Sequence, residues 1–308
     1  MQTLKQMLES GQLFVPCVYD CMSAKAAERS GYKAVFLSGG AIAYSQNGLP
    51  DMGFSTADEM IAVSDRIVDC IDIPLIVDAD DGYGESPIVV YHTVKRLLKA
   101  GVQGFCLDDA SGCRGFERKI AAVENGTGYS QKCISREAWL AKIKACVEAC
   151  KGTGCIVIAR TEVSDLNEAI ERCLRARMLG ADMTLVCRAM RTLEDGKKVA
   201  EYDKGWKMWP DVYSVNGVPN VELEDVKELG FNLVTFHVFE KAALYGMLHC
   251  GMEIRKRLDQ EKTGPFILDD VAVKTEVREA LSFSRDKWLS TESVTDTQKK
   301  MEMLKSIP

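Results

Sequence analysis

The chain has 308 residues, 46% of them hydrophobic and 27% charged, which is enough for one large core or two modest domains and leaves no room for a disordered reading. Its formal net charge of -6 excludes the basic surface that nucleic-acid binding requires, so no nucleic-acid partner is expected. No apolar run is long enough to cross a bilayer and the start "MQTLKQMLESGQLFVPC" lacks the pattern of a signal peptide, so a soluble cytoplasmic protein with no membrane partner is expected.

In chain order, short apolar runs alternate with amphipathic stretches. The runs predict strands at 13–18, 34–38, 74–79, 104–109, 155–160, 183–188, 212–215 and 233–238. Between them, "SAKAAERSG", "TADEMIAVSDRIVDC", "PIVVYHTVKRLLKAG", "SREAWLAKIKACVEAC", "NEAIERCLRARMLGA" and "ELEDVKELG" predict helices, several opening on a capping residue and closing on glycine. Repeated β/α units predict an α/β fold of the (β/α)8 TIM-barrel type. A doubly wound open sheet would want a glycine-rich turn after its first strand, and "VYDCMSAKAAE" has none. The barrel is assigned to residues 1–258. A C-terminal helical extension, 259–308, is expected to pack on the barrel or on a neighbouring subunit.

The 12 cysteines form no compact disulfide framework, and the i, i+4 pairs Cys17/Cys21 and Cys146/Cys150 lack the companion pair of a zinc site. They read as reduced thiols.

In a barrel of this type the chemistry gathers at the carboxyl ends of the strands. The third strand ends in Asp78 and Asp80, which leave an extended backbone on the same side. The fourth ends in Asp108 and Asp109. Hard oxygen donors without nearby histidine or cysteine favour magnesium, with manganese possible. Gly82 and Gly84 allow a tight turn above the acids. Arg160, ending the fifth strand, can grip a carboxylate through two hydrogen bonds, and Ser38, Gly39 and Gly40 offer a hydroxyl and approachable amides to an anion.

Together "VYDCMSAKAAERSGY", "FLSGG", "GLPDMGFST", "VDADDGYG", "LDD", "IARTE" and "LNEAIERCLRARMLGAD" resemble, in this order, the isocitrate lyase and phosphoenolpyruvate mutase superfamily. The resemblance implies a modified barrel with magnesium in its mouth, in a homotetramer that exchanges C-terminal helices. It implies that Asp78 is the direct metal ligand, that Asp80 and Asp108 act largely through water, and that Ser38, Gly39, Gly40 and Arg160 clamp the substrate carboxylate. Asp51 of "LPDMG" would be a second-sphere or substrate-side acid.

The sequence departs from the family at two places. Asp108-Asp109 replaces the usual Glu-Asp, and the loop "ASGCRGFERKIAAVENGTGYSQKCIS" has no Cys-Gly-His motif, leaving Cys113 or Cys133 as the candidate thiol. His237 and Tyr213 lie where the superfamily's oxaloacetate decarboxylases place a histidine and a tyrosine, and histidine can protonate an enolate near neutrality. The implied activity is magnesium-dependent carbon-carbon cleavage of a small 2-oxo or 2-hydroxy di- or tricarboxylate such as methylisocitrate, dimethylmalate or oxaloacetate. The alternatives are phosphorus-carbon chemistry of the mutase or phosphonopyruvate hydrolase type, and a barrel that binds a ligand without catalysis.

Overall fold

A computed structural model describes residues 2–111, 132–212 and 221–260. Eight parallel strands close into a barrel: β1 (Leu13–Val18), β2 (Val35–Leu37), β3 (Leu75–Asp78), β4 (Gly104–Leu107), β5 (Ile156–Thr161), β6 (Met183–Val186), β7 (Trp206–Trp209) and β8 (Leu233–Phe236). Each pairs with the next, and β8 pairs with β1 through Leu13↔Leu233 to Pro16↔Phe236.

The described helices are α1 (Leu4–Ser10), α2 (Cys21–Arg29), α3 (Gly39–Asn47), α4 (Ala57–Cys70), α5 (Pro87–Lys99), α6 (Arg136–Cys150), α7 (Leu166–Met178), α8 (Leu193–Tyr202), α9 (Leu223–Glu228) and α10 (Phe239–Asp259). Among the described residues, no helix is long and apolar enough to cross a membrane. The chain divides into two compact units, Met1–Lys241 and Ala242–Pro308. The first contains the whole barrel.

The barrel interior is built by alternation along each strand. Leu13, Val15 and Cys17 of β1, Phe36, Ile76, Cys106, Ile156, Ile158, Met183, Leu185, Met208 and Leu233 form one buried cluster. Leu4 and Leu8 of α1 join it, which identifies α1 as the plug of the amino-terminal end. Thr3 caps that helix, exchanging hydrogen bonds with Gln6 at 2.9 and 3.3 Å. A Cβ at Gly104 would lie 2.8 Å from Leu4 Cδ2, so the absent side chain leaves room for the plug.

The seventh strand corrects the sequence reading. It is Trp206–Trp209, not 212–215; Val212 lies in a bend, and 213–215 fall outside the described residues. Lys207 gives "WKMW" a charged residue that a buried strand ordinarily lacks. Its side chain is nonetheless buried, with the amine donating to Gly205 O at 2.9 Å and sitting 5.6 Å from the Phe231 ring centroid.

Three helices escape the periodicity reading. These are α1, α8, and α3, whose opening glycines resemble a loop.

Candidate active site

The alternation that fills the interior continues into the mouth. Ile76 leads to Asp78, Cys106 to Asp108, and Ile158 to Arg160, so strand geometry alone aims these three polar side chains inward. All three are drawn from different strands. Asp78 and Asp108 are buried, and Arg160 Nη1 donates to both oxygens of Asp78 at 3.3 Å.

Asp80 reaches the same place by a turn. Its φ of 45° is left-handed, a conformation aspartate tolerates better than most residues, and its carbonyl accepts Asp108 N at 2.7 Å. This hydrogen bond ties the ends of β3 and β4 together. Lys142 of α6, itself buried, donates to Asp81 O at 2.9 Å and lies 3.4 Å from Asp81 Oδ2, which anchors the turn from below. Gly82 has φ of 87°, and a Cβ there would lie 2.7 Å from Val90 Cγ2.

The "SGG" segment is a helix start. Ser38 is the N-cap of α3, its hydroxyl accepting Ala41 N at 3.2 Å, and Gly39 and Gly40 form the first two helical positions. An added Cβ on Gly39 would lie 3.5 Å from Asp78 Oδ2 and 3.5 Å from Asp80 Oδ2, so the absent side chain keeps the space beside both carboxylates open. On Gly40 it would lie 3.0 Å from Asp51 Oδ2, which places Asp51 against the same helix start.

Asp109 has the opposite parity to Asp108 and points out of the barrel interior. It is fully buried, accepting Thr161 Oγ1 at 2.6 Å, Glu162 N at 2.7 Å and Arg172 Nη1 at 3.0 Å. Asp109 is therefore a brace between β4, β5 and α7, and only Asp108 of the pair faces the mouth.

Sequence reasoning missed Glu162, although it closes the "IARTE" segment. It is buried and accepts Arg160 Nε at 2.7 Å, while Arg188, just beyond β6, approaches it at 3.5 Å. Burial alone would lower the Arg160 pKa; Glu162, with Cys187, Asp78 and Asp108, instead pushes it well above the ordinary guanidinium value. Arg160 is held charged between two carboxylates, with its remaining donor capacity available to an acidic ligand. The signal that could have found Glu162 was parity, since it lies two residues beyond Arg160 and directly follows the end of β5.

His237 follows β8 and faces Asp211, with Nδ1 3.2 Å from Oδ2. Burial would lower its pKa, but the Cys17 sulfur and Asp211 beside it outweigh that and raise the imidazole above its usual 6.5. Cys133 forms an isolated bridge with Ala110, and burial together with Asp109 pushes its thiol up, which disfavours a reactive thiolate. Cys113 and Tyr213 lie outside the described residues.

A cavity of about 520 Å³ adjoins Asp80 and Asp108 and is further lined by Ser55, Thr56, His92 and Arg96. Among the described residues, no three acidic, histidine or cysteine side chains converge closely enough to chelate a cation directly. The carboxylates of Asp78, Asp80 and Asp108 are the hard oxygen donors that magnesium takes.

The whole-chain comparisons agree with this architecture. The family model described as phosphoenolpyruvate phosphomutase matches residues 4–253. The chain is 30% identical to 2-methylisocitrate lyase of Escherichia coli strain K12 over 84% of each chain. It is 25% identical to 2,3-dimethylmalate lyase of Eubacterium barkeri, over 92% of this chain and 94% of the relative. The structure of oxaloacetate acetylhydrolase with the inhibitor 3,3-difluorooxalacetate superposes with a TM-score of 0.77 at 25% identity over 96% of both chains. With an eight-stranded barrel, strand-end acids and a match running through both, the chain belongs to the phosphoenolpyruvate mutase and isocitrate lyase superfamily.

Proposed function

We propose that the chain is a magnesium-dependent lyase that breaks a carbon-carbon bond of a small 2-oxo or 2-hydroxy di- or tricarboxylate and leaves the bond's electron pair on one fragment as an enolate, a pyruvate-type enolate where the substrate is a 2-oxo acid. The observation that carries this reading is the convergence of Asp78, Asp80 and Asp108 with Arg160 and the amino-terminal end of α3 at one barrel mouth. The names of the relatives, 2-methylisocitrate lyase and 2,3-dimethylmalate lyase, support carbon-carbon cleavage of acids of this size.

Asp78 would be the direct magnesium ligand, with Asp80 and Asp108 acting largely through water. When bound, the metal supplies positive charge beside the oxygens of the 2-oxo or 2-hydroxy acid, where negative charge develops as the bond breaks. Arg160 holds the substrate carboxylate by paired donors, with Glu162 fixing the plane of the guanidinium. The Ser38 hydroxyl and the amides of Gly39 and Gly40 bind the same anion from the other side. Asp51, against Gly40, supports that helix start or meets the substrate's hydroxyl. His237 supplies a proton or positive charge from the β8 side, and Tyr213 and Cys113 are further candidates for proton transfer.

The chain is also proposed to work in the cytoplasm, as a homotetramer assembled in part through α10. Leu244, Met247, Leu248 and Met252 of that helix are exposed apolar side chains and line one shallow surface, a pattern that favours burial against another chain. The test of function is a panel of 2-methylisocitrate, 2,3-dimethylmalate, oxaloacetate and phosphonopyruvate with and without magnesium. Turnover of a carboxylate that is lost on chelation supports the lyase. Turnover of phosphonopyruvate alone supports phosphorus-carbon chemistry, and magnesium-dependent oxalate binding without turnover supports a barrel that only binds.

A further inference from the structure

Asp211 stands two residues beyond β7, and His237 directly follows β8. The carboxylate grips the histidine twice. Its Oδ1 accepts the His237 main-chain N–H at 3.4 Å, and its Oδ2 lies 3.2 Å from Nδ1. One contact fixes the backbone and the other fixes the ring.

Alternation along β8 sends Leu233 into the barrel interior, then buried Thr235, and then His237 at the mouth. The ring keeps about a third of its surface exposed, its side chain being 32% accessible, so it is not sealed inside the core. The groups that face it are Asp211 from beyond β7 and Cys17 from β1, with Glu240 of α10 acting on Cys17 from nearby. Burial pushes the Cys17 thiol up, so at neutral pH the negative charge next to the ring comes from Asp211. A carboxylate at Nδ1 requires a proton on that nitrogen. The second ring N–H is then the one a charged imidazolium can release.

We infer that Asp211 is a positioning residue that holds His237 as an imidazolium at the barrel mouth, so that His237 meets the reaction as an acid and not as a base. This assignment rests on the carbon-carbon lyase reading. When a 2-oxo acid such as oxaloacetate loses carbon dioxide, the electron pair of the broken carbon-carbon bond stays on the pyruvate enolate. His237 gives its proton to the enolate carbon, becomes neutral, and recovers a proton from solvent, so neither residue is oxidised or consumed.

The sign of the pH dependence follows from the raised imidazole. The Asp211 carboxylate beside Nδ1 favours the charged form, which is lost as pH rises through the folded value, so activity that needs it has an alkaline limb. The experiment is a nitrogen-15 NMR titration of the full-length, magnesium-loaded protein with labelled histidine. Only 3 histidines are present, and His237→Gln identifies the signal. In the unaltered protein His237 should titrate on the alkaline side of the other two. Asp211→Asn should move that titration down by about one pH unit or more and carry the alkaline limb of kcat with it, leaving KM nearly unchanged. Asp211→Glu should recover most of the shift.

An unmoved His237 titration in Asp211→Asn, with or without lost activity, would overturn the inference. A moved titration in a protein that turns over no carboxylate would retain the pairing but overturn both the acid role and the lyase reading, so the two failures are distinguishable.

Discussion

At the scale of single residues, the mouth separates acids that face a ligand from acids that brace the fold. Asp78 and Asp108 project inward because they continue the interior rows of β3 and β4, whereas Asp109 takes the opposite parity and is consumed by Thr161, Glu162 and Arg172. Their substitutions should therefore fail differently. Asp109→Ala leaves the Arg172 guanidinium buried without its carboxylate and should cost about 3–5 kcal/mol in chemical denaturation. Asp78→Ala should leave stability within about 1 kcal/mol, since it also relieves carboxylate crowding, while abolishing magnesium binding by calorimetry and lowering kcat/KM by about 10³-fold or more. Arg160→Lys keeps the charge but loses the forked donor that spans Asp78 and Glu162; a rise in KM of about tenfold or more should be its main effect in steady-state assays.

At the scale of elements, two devices shape the site. One is the left-handed turn after β3, where Asp80 has φ of 45° and is secured by Lys142 of α6 through Asp81. Lys142→Met should loosen that turn and weaken magnesium affinity about 10–100-fold without removing any ligand, read by titration calorimetry. Unchanged affinity would show that the turn holds its conformation unaided. The other device is the start of α3, which converts "SGG" from an apparent loop into a helix end beside Asp78 and Asp80.

These devices also mark what the sequence could reveal. The acids, Arg160 and the glycines were legible because strand ends and residue chemistry identify them. The bracing role of Asp109 was hidden because its partners Thr161, Glu162 and Arg172 lie 52, 53 and 63 residues away and meet it only in the folded barrel. Lys207 concealed β7 for a similar reason, since a buried lysine satisfied by a carbonyl and an aromatic face reads as solvent-exposed in one dimension. Asp211 was not legible at all. Its partner lies 26 residues away, and only barrel closure brings β7 and β8 side by side.

At the scale of the whole molecule, the barrel was readable from the alternation of apolar runs and amphipathic stretches, and seven of the predicted strands overlap observed ones. The plug formed by α1 was not anticipated, since a short helix ahead of the first strand carries no β/α signal. Leu4→Ala should open a cavity under the barrel and cost about 2–5 kcal/mol, measured as a shift in the denaturation midpoint at unchanged slope.

The central claim is that the barrel mouth uses magnesium to cleave carbon-carbon bonds in small acids. Its most direct test is product analysis of 2-methylisocitrate, 2,3-dimethylmalate and oxaloacetate incubated with the purified protein and magnesium, with phosphonopyruvate in parallel and Asp78→Ala as the control. The account predicts cleavage of at least one carboxylate, lost both on chelation and in Asp78→Ala. Cleavage of phosphonopyruvate alone, or carboxylate turnover that survives Asp78→Ala, would contradict it.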